Sequence, residues 1–533
     1  MPSFVCVRPC ASATARRLPW QSFRPYGGIT CLLVLLVTLI AGCGGGSGSS
    51  GGGGTTNSGP PPTGTGPLIA QPNNDTRSTL GTPASWTVFY PTKQLTPKKW
   101  TFLVYMNGAN DLGAGGSGNF DIQNVLQMEK VGSSDNVNIV LQWEVEIGFW
   151  NSSAHPLWTG TRRYYLTKNT GDFNGNIQSP MIAQNSTVDT GDWESLQDFV
   201  HWGVQAFPAE HYCLIIWNHG SGWRAQELSA SKAASSASSR SVSFNYLTNA
   251  DIDTSEIPKA IDISNTDAKK WDIVSFDASL MQMLEVAYQM TSPGSSVSSS
   301  YQAPSYIQGS EESPPGAGLP YDTILQDLTS NPDLTPEAFA DDFCTRTLSR
   351  YGSSSSTTQS VLKTSELPAL LSAVDNLGLA LMNAKSAWGT QIATARMNAE
   401  HYSVGEEAAS DYWYVDYKDL LDFTNRLTQT TIGGTPFVND TGVISAAQSL
   451  KTAAGNAIVF NKNGTGHPNS HGVSIWIPSP SAYSTVLNTQ GAGRGPSPQP
   501  YTTLQLPQQA PNWRNFLQNG PAALAGEIHS GQS

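Results

Sequence analysis

Short apolar runs alternate with segments of helical spacing along the middle of the chain. Short apolar runs predict buried strands, whereas apolar residues spaced three and four apart predict helices. Alternating strands and helices are typical of a parallel sheet with helices on both faces, so this pattern predicts an α/β domain with a mostly parallel sheet. The strand runs lie at 100–106, 136–143, 162–166, 212–217 and 271–276, and the helical patterns at 121–131, 189–208, 255–263 and 280–287.

Further patterns predict additions on the C-terminal side of this core. Residues 367–395 and 417–427 have helical spacing, and 471–478 form an apolar run that ends in proline, as a late strand would. The domain is therefore predicted to span 98–487. Within it, the Ser/Ala-rich residues 225–241 are predicted to be an exposed insert loop, because such a segment can bury little apolar surface.

Two of the predicted strands end in residues that could carry out chemistry. The run that ends at Trp217 leads to His219 and Gly220, and the run that ends at Phe276 leads to Asp277 and Ser279. Because the carboxyl ends of parallel strands meet at one edge of a sheet, a base and a nucleophile would come together there. Taken alone, however, a histidine after a strand is more often structural, and a serine before a helical pattern is a favoured N-cap.

The first 97 residues differ in composition from the rest of the chain. A basic stretch precedes the apolar run 31–40, and small residues follow up to Cys43, so 1–43 is predicted to be a signal peptide. Its apolar run is too short to span a membrane comfortably. Its Ile-Ala-Gly-Cys end resembles a bacterial lipobox, which predicts lipidation of Cys43 and a cell-envelope location outside the cytoplasm. An uncleaved anchor or an ordinary signal peptide with a chance cysteine is the alternative.

Low-complexity segments are predicted to flank the domain on both sides. Residues 44–97 begin with a Gly/Ser/Pro-rich stretch and predict a flexible tether with a poorly structured lead-in. The Gly-, Pro- and Gln-rich residues 488–533 are predicted to form a loosely ordered tail.

Composition excludes several functional classes. A net charge of -12 argues against nucleic-acid binding, which needs a basic face. Once the predicted signal peptide and Cys43 are set aside, only Cys213 and Cys344 remain of six cysteines, which excludes a disulfide framework. The two could pair in an oxidising compartment, but the strand and helix patterns around them favour two buried thiols. The histidines lack the spacing of zinc ligands, so no metal site is predicted.

Five blocks of the chain resemble the clostripain family of cysteine peptidases, which belongs to the caspase-like group. Together these blocks cover most of the region from 98 to 485. They are WTFLVYMNGANDL at 100–112, DTGDWESLQDFVHWGVQAFPAEHYCLIIWNHGSGW at 189–223, WDIVSFDASLMQMLEVAY at 271–288, GSEESPPGAGLPYD at 309–322 and HGVSIWIP at 471–478. The resemblance implies a caspase-like fold and hydrolysis of peptide bonds.

The resemblance also implies roles for particular residues. His219 matches the catalytic histidine of the motif His-Gly-Ser-Gly-Trp, and Gly220 beside it the oxyanion position. Ser279 stands where the family motif Asp-Ala-Cys-Leu-Met has its nucleophilic cysteine. Asp277 corresponds to the residue that recognises an Arg or Lys side chain before the scissile bond, and Glu311 and Glu312 are expected to face the same pocket.

Two further family properties apply to this chain only by resemblance. Family members are often activated by self-cleavage after the histidine, and the insert holds Lys232 and Arg240 at suitable places. Some also use calcium, although no loop of EF-hand type is present to bind it.

Serine in place of cysteine changes the chemistry that is expected. A thiol with a pKa of about 8.5 is partly ionised at neutral pH, whereas a serine hydroxyl must give its proton to a well-placed base. Serine hydrolases hold that histidine with a buried acid, which caspase-like sites are expected to lack. The sequence therefore favours a pseudopeptidase that binds basic peptides or a protein partner. The alternatives are an active endopeptidase or esterase with Ser279 as nucleophile and His219 as base, or a structural surface module.

Overall fold

The described part of the chain extends from residue 86 to residue 525, with several gaps. The computed structural model describes residues 86–89, 94, 96–113, 119–146, 158–169, 177–223, 242–402, 416–431, 434, 436–490 and 500–525. All of them lie in one compact unit, Thr65–Ser533.

The strands and helices of the described residues follow the predicted alternation. The strands are β1 (Thr87–Val88), β2 (Lys98–Gly108), β3 (Val137–Val145), β4 (Gly160–Tyr165), β5 (Met181–Asn185), β6 (Ala209–Trp217), β7 (Ile273–Asp277), β8 (Tyr306–Gly309), β9 (Thr358–Lys363), β10 (Tyr417–Asp419), β11 (Ile458–Asn463) and β12 (Ser474–Trp476). The helices are α1 (Phe120–Val131), α2 (Trp193–Ala206), α3 (Ile257–Ala260), α4 (Leu284–Thr291), α5 (Tyr321–Ser330), α6 (Pro336–Tyr351), α7 (Leu367–Asn398), α8 (Leu420–Thr428), α9 (Thr441–Ala457), α10 (Pro480–Gln490), α11 (Gln505–Gln509) and α12 (Pro511–Asn519).

Ten strands form one sheet with a parallel centre and antiparallel margins. Their order is β1-β5-β4-β3-β2-β6-β7-β8-β9-β11. The five central strands, β3, β2, β6, β7 and β8, run parallel to one another. On one side of them β4, β5 and β1 pair antiparallel, and on the other side β9 and β11 do so. β10 and β12 form a separate antiparallel pair. The predicted α/β fold with a mostly parallel sheet is therefore confirmed.

Each face of the sheet has its own apolar core. On β2, Leu103 and Tyr105 pack with residues of α2, α4 and α7. Phe102 and Val104, which alternate with them, pack on the other face with residues of α1, α5 and α6. This alternation follows from the two-residue period of a strand, and it explains why the central strands are apolar throughout.

The turn between β7 and α4 differs from the prediction. The helical pattern at 280–287 predicts a helix that follows Ser279 at once, but α4 begins at Leu284 and has Met283 as its N-cap. Leu280 has a φ of 64°, a left-handed conformation that a right-handed helix cannot contain. Ser279 therefore lies in a tight turn, and the alternative role of helix N-cap is wrong.

The C-terminal region is more ordered than its composition predicts. Residues 500–525 contain α11 and α12, and Tyr501 and Trp513 are fully buried. The backbone N–H of Gln505 donates to Gln289 of α4 at 2.9 Å, and that of Asn512 donates to Asp375 of α7 at 2.7 Å. The prediction of a loose tail is wrong for this segment, because six of its large apolar residues are buried in the core: Tyr501, Leu504, Leu506, Trp513, Phe516 and Leu517.

Two other segments also differ from the predicted pattern. Residues 417–419 are strand β10 rather than the start of a helix, which begins only at Leu420. At the N-terminal side, β1 pairs with β5, and the guanidinium of Arg163 lies 4.0 Å from the ring centroid of Trp86. The lead-in to the domain is therefore anchored on the sheet from Trp86 to Val88.

Both remaining cysteines are buried in the core. Cys213 lies in β6 and Cys344 in α6, and both are free thiols. Burial raises the pKa of each thiol, so neither is a reactive thiolate. The prediction of two buried thiols is confirmed.

One long helix shows why apolar length alone does not define a membrane span. The helical region 364–398, which includes α7, is long and apolar enough to cross a membrane, and half of its most apolar window is buried. Residues of α7 pack in the core with those of α9 and α12. Such packing is typical of the core helix of a globular domain.

We expect Trp513→Ala to lower the free energy of unfolding by about 3–5 kcal/mol, the usual cost of removing a large aromatic side chain from a core. Gln508→Ala, an exposed change in the same segment, should leave it within about 0.5 kcal/mol. Denaturant unfolding of both variants measures the difference. A change below about 1 kcal/mol for Trp513→Ala would show that the C-terminal segment contributes little to the core.

Candidate functional site

The candidate site lies at the carboxyl ends of β6 and β7. These strands are parallel neighbours, and Trp217 pairs with Asp277 where both strands end. His219 and Ser279 each lie two residues beyond this pair. The register therefore places the predicted base and the predicted nucleophile position at the same level of the sheet edge.

The two loops touch through Gly220. A Cβ atom at this position would lie 2.4 Å from the carbonyl oxygen of Ser279 and 2.9 Å from Cγ of Met281. Real Cβ atoms do not approach so closely, so glycine is the residue that lets the loops meet. The structure thus brings Gly220 against the backbone of Ser279, and its assignment as oxyanion donor remains a prediction.

His219 is held by a carboxylate that the sequence reasoning did not identify. Its Nε2 lies 2.6 Å from Oδ1 of Asp111, which follows β2. Its backbone N–H donates to Oδ1 of Asn218 at 2.6 Å. The histidine therefore has a carboxylate partner that was not predicted, but this carboxylate is 46% exposed and is not the buried acid that serine hydrolases use. Asp111 lies in the first block that resembles the family. Its contact with His219 depends on β2 being the neighbour of β6, and this strand order cannot be read from the sequence.

Ser279 is the site residue with the fewest contacts. Its side chain is half-buried in the turn that follows β7. Among the residues that the structure describes, its hydroxyl has no hydrogen bond, neither to His219 nor to another group. The nucleophile position and the base are therefore near in the fold but are not joined by the proton path that a serine nucleophile needs.

Asp277 lies beneath the site, on the sheet face covered by α5. Its side chain is buried and accepts hydrogen bonds from the backbone N–H of Leu319 at 3.1 Å and from the hydroxyl of Tyr321 at 2.8 Å. Burial raises the pKa of Asp277 to about 6, although these hydrogen bonds oppose the shift. A Cβ on Gly318 would lie 2.6 Å from Oδ2 of Asp277, so the turn before α5 closes tightly on the carboxylate.

Glu311 belongs to a buried polar network at the end of β8. It is 1% exposed, accepts from the hydroxyl of Tyr402 at 2.9 Å and from the backbone N–H of Gly472 at 3.0 Å, and adjoins Asp419. Burial, and then the charge of Asp419, raise the pKa of Glu311 well above its ordinary value. A neutral Glu311 is the form that this environment favours.

Glu312 and His467 form a separate ion pair beside this network. Nε2 of His467 lies 3.1 Å from Oε2 of Glu312, and Nδ1 lies 3.0 Å from Oε1 of Glu400. Burial lowers the pKa of His467, but the hydrogen bonds to Glu312 and Glu400 outweigh it and raise the pKa to about 9. The described contacts of Glu311 and Glu312 are thus with protein groups, and their part in a substrate pocket remains a prediction.

The remaining predicted positions lie elsewhere or beyond the described residues. Cys43 and the insert 225–241, with Lys232 and Arg240, fall outside the residues that the structure describes. Calcium would need several oxygen ligands in one place. Within the described ranges, no group of three or more His, Cys, Asp or Glu is arranged to hold a metal ion.

Comparison with known proteins relates most of this chain to one family. The model of the Clostripain family matches residues 104–467. Clostripain of Hathewaya histolytica is 26% identical over 202 residues, which are 36% of this chain and 36% of clostripain, so the chain matches about a third of that relative's length.

Two bacterial proteases are among the solved structures to which this chain is similar. An X-ray structure of an inactive zymogen C11 protease from Parabacteroides distasonis superposes with a TM-score of 0.51 at 18% identity, covering 78% of this chain and 99% of that one. A secreted C11 cysteine protease from Bacteroides thetaiotaomicron, in complex with an irreversible peptide inhibitor, gives a TM-score of 0.45 at 18% identity, covering 71% and 93%. The first of these likenesses shows the shared fold.

We expect Gly220→Ala to lower the free energy of unfolding by about 1–3 kcal/mol, because the added methyl group would force the two site loops apart. Gly455→Ala in α9 is the matched control, since a Cβ there has no neighbour within 4 Å. That control should gain about 0.5–1 kcal/mol. Equal effects of the two changes in denaturant unfolding would contradict the close contact between the loops.

Glu311 should make stability depend on pH. Because its pKa is higher in the folded than in the unfolded protein, its contribution is complete below its ordinary value of 4.5 and is lost as pH rises through the raised value. Glu311→Gln mimics the neutral form, so we expect its stability to fall less with rising pH. Unfolding midpoints measured across pH test this, with exposed Glu210→Gln as control. Parallel profiles for Glu311→Gln and the natural protein would contradict it.

Proposed function

Because this chain belongs to the clostripain family, we propose that it is a catalytically impaired member that binds peptides in a retained site. The observation that carries the proposal is the hydroxyl of Ser279, which stands at the nucleophile position without a hydrogen bond to His219. The surrounding parts of the site, Gly220, Asp277 and the histidine itself, are present and held in place.

The physical reason lies in how a nucleophile is activated. A cysteine attacks as a thiolate, which exists at neutral pH without a base in direct contact. A serine depends on proton transfer to a positioned base during attack, a contribution of about 10²- to 10⁴-fold in rate. Without a hydrogen bond from Ser279 to His219, this contribution is missing, and binding remains as the function that the site supports.

The ligand that we propose is a peptide or protein segment with basic residues. Asp277 is the candidate group for recognition, by its position in the family motif. Since the pKa of Asp277 is about 6, its carboxylate is largely ionised at neutral pH. Leu319 and Tyr321 fix it in one orientation. A fixed, ionised carboxylate in a buried position is a suitable partner for a guanidinium or ammonium group.

We also propose that the protein acts outside the cytoplasm on a lipid anchor. The support is the sequence of 1–43, with its apolar run and the lipobox-like end at Cys43. The Gly/Ser-rich composition of the stretch that follows is typical of a linker between an anchor and a domain. The acidic net charge of the chain would attract a basic ligand.

The contact between Asp111 and His219 favours a second candidate function, that of a serine-dependent hydrolase. A carboxylate only accepts, so Nε2 of His219 carries the proton and Nδ1 of the neutral ring is left as a base. Asp111, His219 and Ser279 would then act as acid, base and nucleophile. This candidate needs Ser279 to reach Nδ1 when a substrate is bound.

Restoring the sulfur should separate the two candidates. For a pseudopeptidase, we expect Ser279→Cys to hydrolyse Arg and Lys esters about 10²- to 10⁴-fold faster than the natural protein, whose serine lacks a bonded base. Initial rates with the full-length protein measure this. Ser299→Cys, which places a thiol at an exposed position, should add nothing.

The opposite pattern would establish the hydrolase. Turnover by the natural protein that is lost in Ser279→Ala would contradict the pseudopeptidase proposal. Asp111→Asn should then also reduce turnover, because the amide no longer holds the same tautomer of His219. Binding of an Arg-containing peptide by Ser279→Ala, measured by calorimetry, would show that the site binds without chemistry.

A further inference from the structure

Tyr246 is the aromatic residue that packs on the ring of His219. The two rings are parallel within 3°, and their centroids are 6.2 Å apart. This is the offset-stacked arrangement that aromatic pairs prefer. Tyr246 lies outside the five blocks by which the chain resembles its family, and the sequence analysis gave it no role.

One hydrogen bond does not fix the plane of an imidazole ring. The contact from Asp111 locates Nε2 of His219. It leaves the ring free to turn about that contact, and the side chain of Asp111 is itself 46% exposed. A parallel aromatic ring supplies the missing constraint, because turning His219 would break the offset-stacked contact. Asp111 and Tyr246 together therefore determine the direction of Nδ1.

The backbone that carries Tyr246 is tied to both sides of the site. The N–H of Tyr246 donates to the carbonyl of Ala109 at 2.9 Å, in the loop that bears Asp111. The N–H of Phe244 donates to Oδ1 of Asn218 at 3.0 Å, the same oxygen that accepts from the N–H of His219. The side-chain amide of Asn110 donates to the carbonyl of Phe244 at 3.1 Å.

The neighbours of Tyr246 are also fixed. Phe244 is buried and meets the ring of Tyr246 edge-on, with centroids 5.2 Å apart. The side-chain amide of Asn245 donates to Glu144 at 3.1 Å and to Asp189 at 2.8 Å. Residues 244–246 thus form a rigid wall, and the stacking on His219 is set by the fold rather than by a mobile surface ring.

From these contacts we propose that Tyr246 is a positioning residue, which holds the plane of the His219 ring for reaction or ligand contact at Nδ1. The proposal rests on the proposed function in one respect only, namely that His219 is part of the functional site. It adds a second determinant of the histidine's geometry, supplied by residues 244–246.

NMR of ring-labelled histidine in the full-length natural protein tests the positioning directly, and it does not depend on turnover. We expect one ordered His219 tautomer in the natural protein and in Tyr246→Phe, which keeps the ring. Tyr246→Leu and Tyr246→Ala should broaden the His219 ring signals and mix the tautomers. Leu247→Ala, a change at the exposed neighbour, should have no effect.

Kinetics in the Ser279→Cys background give the second readout. An aromatic pair is worth about 0.5–1.5 kcal/mol, so we expect Tyr246→Leu to lower kcat about 2- to 13-fold with KM unchanged, and Tyr246→Phe to restore it. Unchanged His219 signals in Tyr246→Leu would overturn the proposal. So would an equal loss in Tyr246→Phe, because the ring face would then not be the cause. If Ser279→Cys has no activity, the proposed function fails, while the NMR result still decides the role of Tyr246.

Discussion

The parallel pairing of β6 with β7 is the constraint on which the site depends. Because Trp217 and Asp277 are in register, both strands end at the same level of the sheet. His219 and Ser279 each lie two residues beyond that point along the chain. Backbone hydrogen bonds in a fully buried sheet allow little slippage, since a shift by one residue would exchange the two apolar faces. The two apolar cores therefore fix the positions of the site residues at this edge of the sheet.

Close approach of the two loops then decides which residues are tolerated. Gly220 meets the carbonyl of Ser279, and Leu280 adopts a left-handed conformation to turn the chain away before α4 begins. A non-glycine residue in that conformation costs about 1–2 kcal/mol, so the surrounding packing must maintain it. Leu280 is fully buried, which supplies such packing.

The environment of His219 is more complete than that of Ser279. The histidine has a carboxylate at Nε2, a parallel aromatic ring on its face and a hydrogen bond at its backbone N–H. Within the described ranges, Ser279 has none of these contacts. This contrast supports the proposed pseudopeptidase, because a thiolate at the position of Ser279 would not need the proton path that a serine requires.

The α/β alternation, the two strand ends with His219 and Ser279, and the family can be read from the sequence, because hydrophobic periods and contiguous motifs are local properties. The strand and helix patterns also indicate that Cys213 and Cys344 are buried thiols. The partners of His219 become visible only in the folded chain, because Asp111 and Tyr246 reach it from segments that are distant along the sequence. Likewise, the Gln- and Pro-rich composition of 500–525 concealed a packed segment, since Tyr501 packs against Trp223 and Trp476 and the backbone of Trp513 lies against Gly378 of α7.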